Sequence, residues 1–340
     1  MKAATYYSSD DIRVEELDRP VPGPGEILVR TRACGICTGD LMPWYMERKA
    51  PLVFGHEPAG EVAGLGEGVE GFREGDRVFA HHHAPCGRCR LCLRGEYVHC
   101  NTWRSSGLRP GGMAEYFVVS APAVRADTVT LPSAMDFESA SLIEPTACVV
   151  KSLRRAAVED GDTVVVVGAG IMGMIHLVLA RLAGARVIVA DRVAFRLRKA
   201  RDLGAFAVVD VDRCSLREGV AEATGGEMAD VVIVGPGSID AMESGIEAAG
   251  SAGTVVFFTC SRPGERLSIN PGELYFDEIS LVPSYSSGPE DTRCALEHLA
   301  AGDLPVSDLI THRFALDRVS EAVTTAGLLD QALKTVVLFE

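Results

Sequence analysis

Positive charge is scarce in this sequence. Lys and Arg number 33 against 47 Asp and Glu, a formal net charge of −14. Nucleic acids and anionic membranes are held by basic faces, so neither is expected as the main partner. Long apolar runs are also missing. The one uncharged stretch of near-spanning length, residues 163–180, lies between Asp162 and Arg181 and is interrupted by Gly168, Gly170, Gly173 and His176. A spanning helix needs about 20 apolar residues. The stretch therefore reads as a buried strand turning into a buried helix. No apolar signal region opens the chain, and Asp10-Asp11 follows early, which points to the cytoplasm. Internal repeats and low-complexity tracts are absent.

Hydrophobic residues make up 47% and charged residues 24%, enough apolar content for full-sized cores. At about 150 residues per domain, 340 residues suggest two domains. Up to residue 145 the sequence is rich in Gly and Pro, with short alternating runs at residues 26–32, 60–64, 76–80 and 114–119. These predict an irregular β-domain. Near residue 146 the texture changes. Apolar strands at 163–167, 186–190, 229–234 and 253–258 alternate with helical stretches at 171–183, 194–203 and 239–249. Strands apolar on both faces, separated by helices, predict a parallel sheet covered on both sides. Helices over 290–301 and 319–328 and a strand over 334–339 close the chain.

Cysteine is the unusual abundance. There are ten, four of them in Cys86-x-x-Cys89-x-x-Cys92-x7-Cys100. Disulfide frameworks belong to short secreted chains. Two-residue gaps instead let a tight loop present four thiolates to one zinc ion, a closed structural site.

A second motif is Gly168-Ala-Gly170-Ile171-Met172-Gly173, after an apolar strand and at the start of a helix. There Gly168 permits the turn, Gly170 lets the backbone approach a pyrophosphate, and Gly173 lets the helix pack closely. The helix N-terminus stabilises the phosphate charge. Asp191, eighteen residues beyond Gly173, is placed to bind the adenosine ribose hydroxyls, which favours NAD. Arg192 and Arg196 leave NADP open. A third constellation is Cys37 with Gly55-His56-Glu57 nineteen residues on.

Taken in order, these motifs resemble the zinc-dependent medium-chain alcohol dehydrogenases, on the polyol and threonine dehydrogenase branch. The run Gly55-His56-Glu57-x2-Gly60-x5-Gly66-x2-Val69 matches that family's zinc signature. The resemblance implies an α/β architecture: a GroES-like catalytic domain from residues 1–146 and 288–340, around a Rossmann NAD-binding domain at 147–287. It also implies two zinc ions per chain. Cys37, His56, Glu57 and Glu144 would serve the catalytic ion, and Cys86, Cys89, Cys92 and Cys100 the structural one. Asp40 would orient His56. Zinc would polarise the oxygen of a secondary alcohol, and hydride would pass to the nicotinamide. The family further implies a small-molecule alcohol or ketone substrate and a homo-oligomer, dimer or tetramer.

One position departs from the family pattern. Gly39 stands where a proton-relay hydroxyl is usual, and the adjacent Thr38 carries a hydroxyl instead. The triplet His81-His82-His83 reads as strand residues on alternating faces, one of them lining the site. Trp44, Tyr45 and Trp103 are candidates for the pocket wall. Two rival readings remain: a ketone or aldehyde reductase of the same fold using NADPH, and a non-catalytic nucleotide-binding protein. Intact Cys37, His56, Glu57 and Glu144 argue against the second.

Overall fold

The computed structural model describes residues 1–340. The chain divides into two compact units. One comprises 1–147, 287–328 and 332–340; the other comprises 148–286 with 329–331.

The first unit is built on an eight-stranded sheet. Its main path runs Ile310–Ala315, Lys334–Leu338, Ile27–Gly35, Glu57–Leu65, Arg77–Ala80 and Thr128–Thr130. Tyr116–Val119 also pairs with Ile27–Gly35. The Ile27–Gly35 strand is buried along most of its length, because other strands pair along both its edges. Its last residues, Ala33 to Gly35, face Leu338 to Val336 on one side and Ala59 to Glu57 on the other. This junction positions the candidate site. A separate three-stranded sheet holds Lys2–Ser8.

The second unit carries a six-stranded parallel sheet in the order Ala207–Asp210, Arg186–Asp191, Thr163–Val167, Ala229–Val234, Ala249–Phe257, Ser280–Pro283. Numbered along the chain, that order is 3-2-1-4-5-6, the doubly wound dinucleotide-binding arrangement. Thr163–Val167 is buried at every position, as a central strand covered on both faces must be. His176 sits in the following helix, Ile171–Leu182, and is fully enclosed. Its ring nitrogens meet the Met172 carbonyl at 2.8 Å and Ser152 Oγ at 3.0 Å. Burial draws its pKa down to about 4, so it is a neutral, satisfied core residue. No helix is long and apolar enough to cross a membrane.

Among the elements of this unit that sequence patterning missed, two are instructive. Leu216–Thr224 is a helix with a capping box between Ser215 and Glu218. Gly219 lowers its intrinsic propensity, yet a Cβ there would press into Val209, so the glycine serves close packing on the sheet. The edge strand Ser280–Pro283 is four residues long and only partly buried, too short for an alternation to show.

Candidate active site

The four-cysteine loop runs through two single-turn 3-10 helices, Cys92–Arg94 and Tyr97–His99. Gly87 and Gly95 make its turns with φ of 71° and 75°, where a side chain would be strained. The sulfurs of Cys86, Cys89, Cys92 and Cys100 lie within 4.8 Å of one another. Cys89 Sγ is 3.4 Å from Cys92 Sγ, and Cys86 Sγ is 3.9 Å from it. Thiolates about 2.3 Å from a tetrahedral ion stand about 3.8 Å apart, so the set fits zinc closely. No cysteine of the chain is in a disulfide. The thiols are not equivalent. Burial and the neighbouring sulfurs push Cys92 up to about 12. Burial also pushes Cys100 upward, but backbone N–H groups of Cys86 and Trp103 outweigh it and draw it down to about 6. Trp103 is buried against Cys92, Val98 and Cys100, so it belongs to this loop's small core.

The second cluster forms where the Ile27–Gly35 strand ends. Cys37 caps the short 3-10 helix Thr38–Leu41, its Sγ accepting from Gly39 N at 3.3 Å. Asp40 is buried and ties the cluster together. Its Oδ2 accepts from Cys37 N at 3.2 Å, and its Oδ1 stands 3.5 Å from His56 Nδ1. Such a carboxylate fixes both the ring orientation and the nitrogen left for a metal. Glu57 opens the next strand in register with Gly35. Donor atoms of Cys37, His56 and Glu57 all lie within 4.8 Å. Burial raises the Cys37 thiol and His56 opposes that rise. Burial also presses on His56, but Asp40 and Cys37 prevail and lift it well above the usual histidine value. Mutual attraction of thiol and imidazole beside a carboxylate is the chemistry of a cation site. Thr38 is exposed at the start of its helix.

Lys334 was not anticipated from the sequence. Its Nζ forms a short ion pair with Glu57 Oε2, with both side chains 1% exposed, and donates to the Ile36 carbonyl at 3.0 Å. Gly35 makes room for this pair, since a Cβ there would collide with the Glu57 carboxylate. The available signal was a lysine at the head of an otherwise apolar strand.

Glu144 lies in the first turn of the Ile143–Ala156 helix and is buried. Its carboxylate gathers with His81 and His82 in another cluster, with donor atoms within 4.8 Å. The histidine triplet is not part of a strand: Arg77–Ala80 ends before it. The rings do not alternate across a sheet but crowd together, with centroids 4.6 Å apart for His81 and His82 and 4.3 Å for His82 and His83. The strand expectation failed because the ladder with Thr128 ends at Ala80 and the chain bends at His82. His81 is braced by Asp127 at 3.4 Å and Ser287 Oγ at 3.3 Å. Burial pushes the Asp127 carboxyl up to about 7. Burial, reinforced by the neighbouring imidazoles, holds His82 well below the usual value, so its ring is neutral. His83 stacks on Trp103 at 4.1 Å and turns away from this cluster.

In the other unit, the glycine turn links Thr163–Val167 to the Ile171–Leu182 helix. Gly168 has φ of 90°, and a Cβ on Gly173 would strike the Gly168 carbonyl. The helix has no side-chain cap at Gly170 and no acidic residue in its first turn, so its N–H groups are left for an anion. Ile171 and Met172 form that first turn. Asp191 clamps the turn: Oδ2 accepts from Ala169 N at 2.7 Å and Oδ1 from Val193 N at 2.8 Å. Arg196 approaches Asp191 at 4.0 Å, while Arg192 is exposed. The cradle fits a dinucleotide pyrophosphate.

Residues 23–132 match the alcohol dehydrogenase GroES-like domain family, and residues 170–301 match the zinc-binding dehydrogenase family. A sorbitol dehydrogenase of Halalkalibacterium halodurans is 30% identical over 326 residues, covering 94% of this chain and 93% of that protein. An L-threonine 3-dehydrogenase of Pyrococcus horikoshii is 32% identical over 340 aligned positions, covering 95% of this chain and 93% of its own. Among solved structures, a protein described as a zinc-binding dehydrogenase from Sinorhizobium meliloti 1021, bound to NADP, superposes with a TM-score of 0.89. It is 30% identical and covers 99% of each chain.

Proposed function

This chain belongs to the zinc-dependent medium-chain alcohol dehydrogenases, on their polyol and threonine dehydrogenase branch, and we propose that it oxidises a secondary alcohol to the ketone with NAD. The observation that carries this reading is the joint convergence of Cys37, His56 and Glu57, braced by Asp40. Cys37 and His56 would hold a zinc ion there, which would supply Lewis-acid polarisation of the alcohol oxygen while a bound nicotinamide would take up the hydride. The chain's own residues do the positioning. Asp40 holds His56 in one orientation. Lys334 offsets the charge of Glu57, so this carboxylate can stay in the buried pocket. Glu144 adds a second carboxylate within the same unit. Cys86, Cys89, Cys92 and Cys100 would bind a second zinc ion. Four thiolates leave no open position, so that ion would hold the loop and take no part in the chemistry.

The test is a panel of polyols, cyclitols and amino alcohols offered with NAD, followed by NADH absorbance, alongside metal analysis. Formation of NADH with secondary alcohols and two zinc ions per chain is expected. No turnover across the panel, and no zinc, would sink the reading.

The choice of NAD over NADP rests on Asp191, whose carboxylate would repel a 2′-phosphate. The NADP in the Sinorhizobium relative keeps the alternative in view. Here, Arg192 and Arg196 are the cations that could receive that phosphate. Replacing Asp191 by Ala should weaken both cofactors, because the glycine turn loses its clamp. The diagnostic is the ratio of kcat/KM for NAD to that for NADP. It should fall by about tenfold or more, the equivalent of ~1.4 kcal/mol. An unchanged ratio would remove Asp191 from cofactor choice.

A further inference from the structure

Three observations converge on His82, a residue with no role in the function proposed above. Its Nδ1 is buried and has no hydrogen-bond partner. A buried ring nitrogen left unpaired costs free energy unless something absent from the protein atoms completes it. Its ring also lies against that of His56, with centroids 4.9 Å apart and planes tilted by 52°. Two imidazoles on one tetrahedral zinc, with nitrogens about 2.0–2.1 Å from the ion and ring centres roughly 1.1 Å further, have centroids about 5 Å apart. The observed spacing is compatible with both rings reaching one ion. Lastly, a donor atom of His82 lies within 4.8 Å of the Glu144 carboxylate.

The condition of the other donors strengthens the case. Glu57 is compromised as a ligand, because its Oε2 is already engaged by the Lys334 ammonium. His81 has both ring nitrogens occupied, Nδ1 by the His83 carbonyl and Asp127, Nε2 by Ser287. His83 directs Nδ1 to the Ser106 carbonyl at 3.0 Å. Of the three consecutive histidines, His82 is the one whose Nδ1 remains uncommitted. The chain bends at His82 itself, and the middle ring of the triplet lies against His56.

We propose that His82 is a direct ligand of the metal ion in this pocket, so that Cys37, His56 and His82 hold the ion and Glu144 supplies the nearby carboxylate in place of Glu57. The inference rests on the reading of Cys37 and His56 as metal ligands. It changes the donor set from one imidazole to two. A two-imidazole set is softer and less negatively charged than one completed by a carboxylate.

The test is metal binding by the full-length protein, loaded with Co(II) at this pocket and read by its visible spectrum and by competition with a chelator. His82→Ala should keep the ion of the four-cysteine loop. It should lose affinity for the other ion by about a hundredfold or more, exceeding what an outer positioning residue costs. Its ligand-field bands should shift. Glu57→Gln should weaken binding less than His82→Ala does. His82→Cys, which restores a competent donor, should recover affinity and add sulfur-to-cobalt charge-transfer intensity. If His82→Ala disturbs folding, the cysteine variant decides alone. Bound cobalt without that added intensity would overturn the proposal. So would His82→Ala with unchanged affinity and an unchanged spectrum, even if turnover fell, since that pattern belongs to a residue lining the substrate pocket. If Cys37→Ser also retains both ions, the failure lies instead with the parent assignment of the metal site.

Discussion

Cys37→Ser should remove the zinc ion proposed for its pocket and nearly all turnover, yet leave the melting temperature close to that of the parent. Besides its partner His56, the Cys37 Sγ accepts one hydrogen bond from Gly39, and a serine oxygen can serve both. The lost Lewis acid is worth several kcal/mol of charge stabilisation, so kcat/KM should drop by about a thousandfold or more. Cys92→Ser should behave in the opposite way. Cys92 is buried at the centre of the thiol cluster, with sulfur neighbours at 3.4 and 3.9 Å. Its loss should release the other zinc and destabilise the fold by a few kcal/mol, a fraction of the ~10–16 kcal/mol a structural zinc supplies to an isolated finger peptide. Metal analysis, thermal unfolding and initial rates on the two variants make the comparison. A stable, active Cys92→Ser beside an unfolded Cys37→Ser would mean the two sites have been exchanged.

Lys334→Met should be the most destabilising single change in the catalytic unit. It leaves the Glu57 carboxylate at 1% exposure without its ammonium partner. Breaking one side of a buried pair costs about 3–5 kcal/mol, because the remaining charge stays desolvated. Removing both charges is much milder, so Glu57→Gln with Lys334→Met should regain most of the loss in denaturant unfolding. A double variant as unstable as the single one would mean that Lys334 acts through packing alone. The pH dependence has a definite sign. Burial, the largest single influence, pushes Lys334 down, but Glu57 and Cys37 outweigh it and raise it above the ordinary lysine value. The folded value exceeds the unfolded one, so the contribution is complete below the unfolded value of about 10.4. It fades only as pH climbs through the folded value. The gap between parent and Lys334→Met should therefore stay flat through neutrality and narrow only in strong alkali.

Much of this molecule could be read from residue order because its logic is local. Thr163–Val167 is entirely buried, the glycines follow at once, and Asp191 ends the next strand; each step lies within one strand–helix–strand unit. The cysteine loop is equally local. What stayed hidden depends on distant partners. Glu57 and Lys334 are 277 residues apart, and a lysine heading the run Lys334-Thr-Val-Val-Leu338 gives no sign of which distant carboxylate it meets. The histidine triplet was misread for a related reason. A strand's end is set by its neighbour's length, and Arg77–Ala80 stops with Thr128–Thr130 beside it. The helix Leu216–Thr224 was obscured by Gly219, whose purpose appears only once Val209 lies beneath it.

The pairing of Lys334–Leu338 with Ile27–Gly35 also has a consequence in time. During synthesis at about 5–20 residues per second, some 15–60 s separate the emergence of Gly35 from that of Lys334. Until then, the edge from Ala33 to Gly35 has no strand to receive it, and Glu57 has no counter-charge. The parallel sheet of residues 163–283 lies wholly inside this interval. A nascent chain can therefore complete its nucleotide-binding sheet while its metal pocket is still open and acidic. The pocket matures only after that sheet has been made, when the closing strand delivers its lysine.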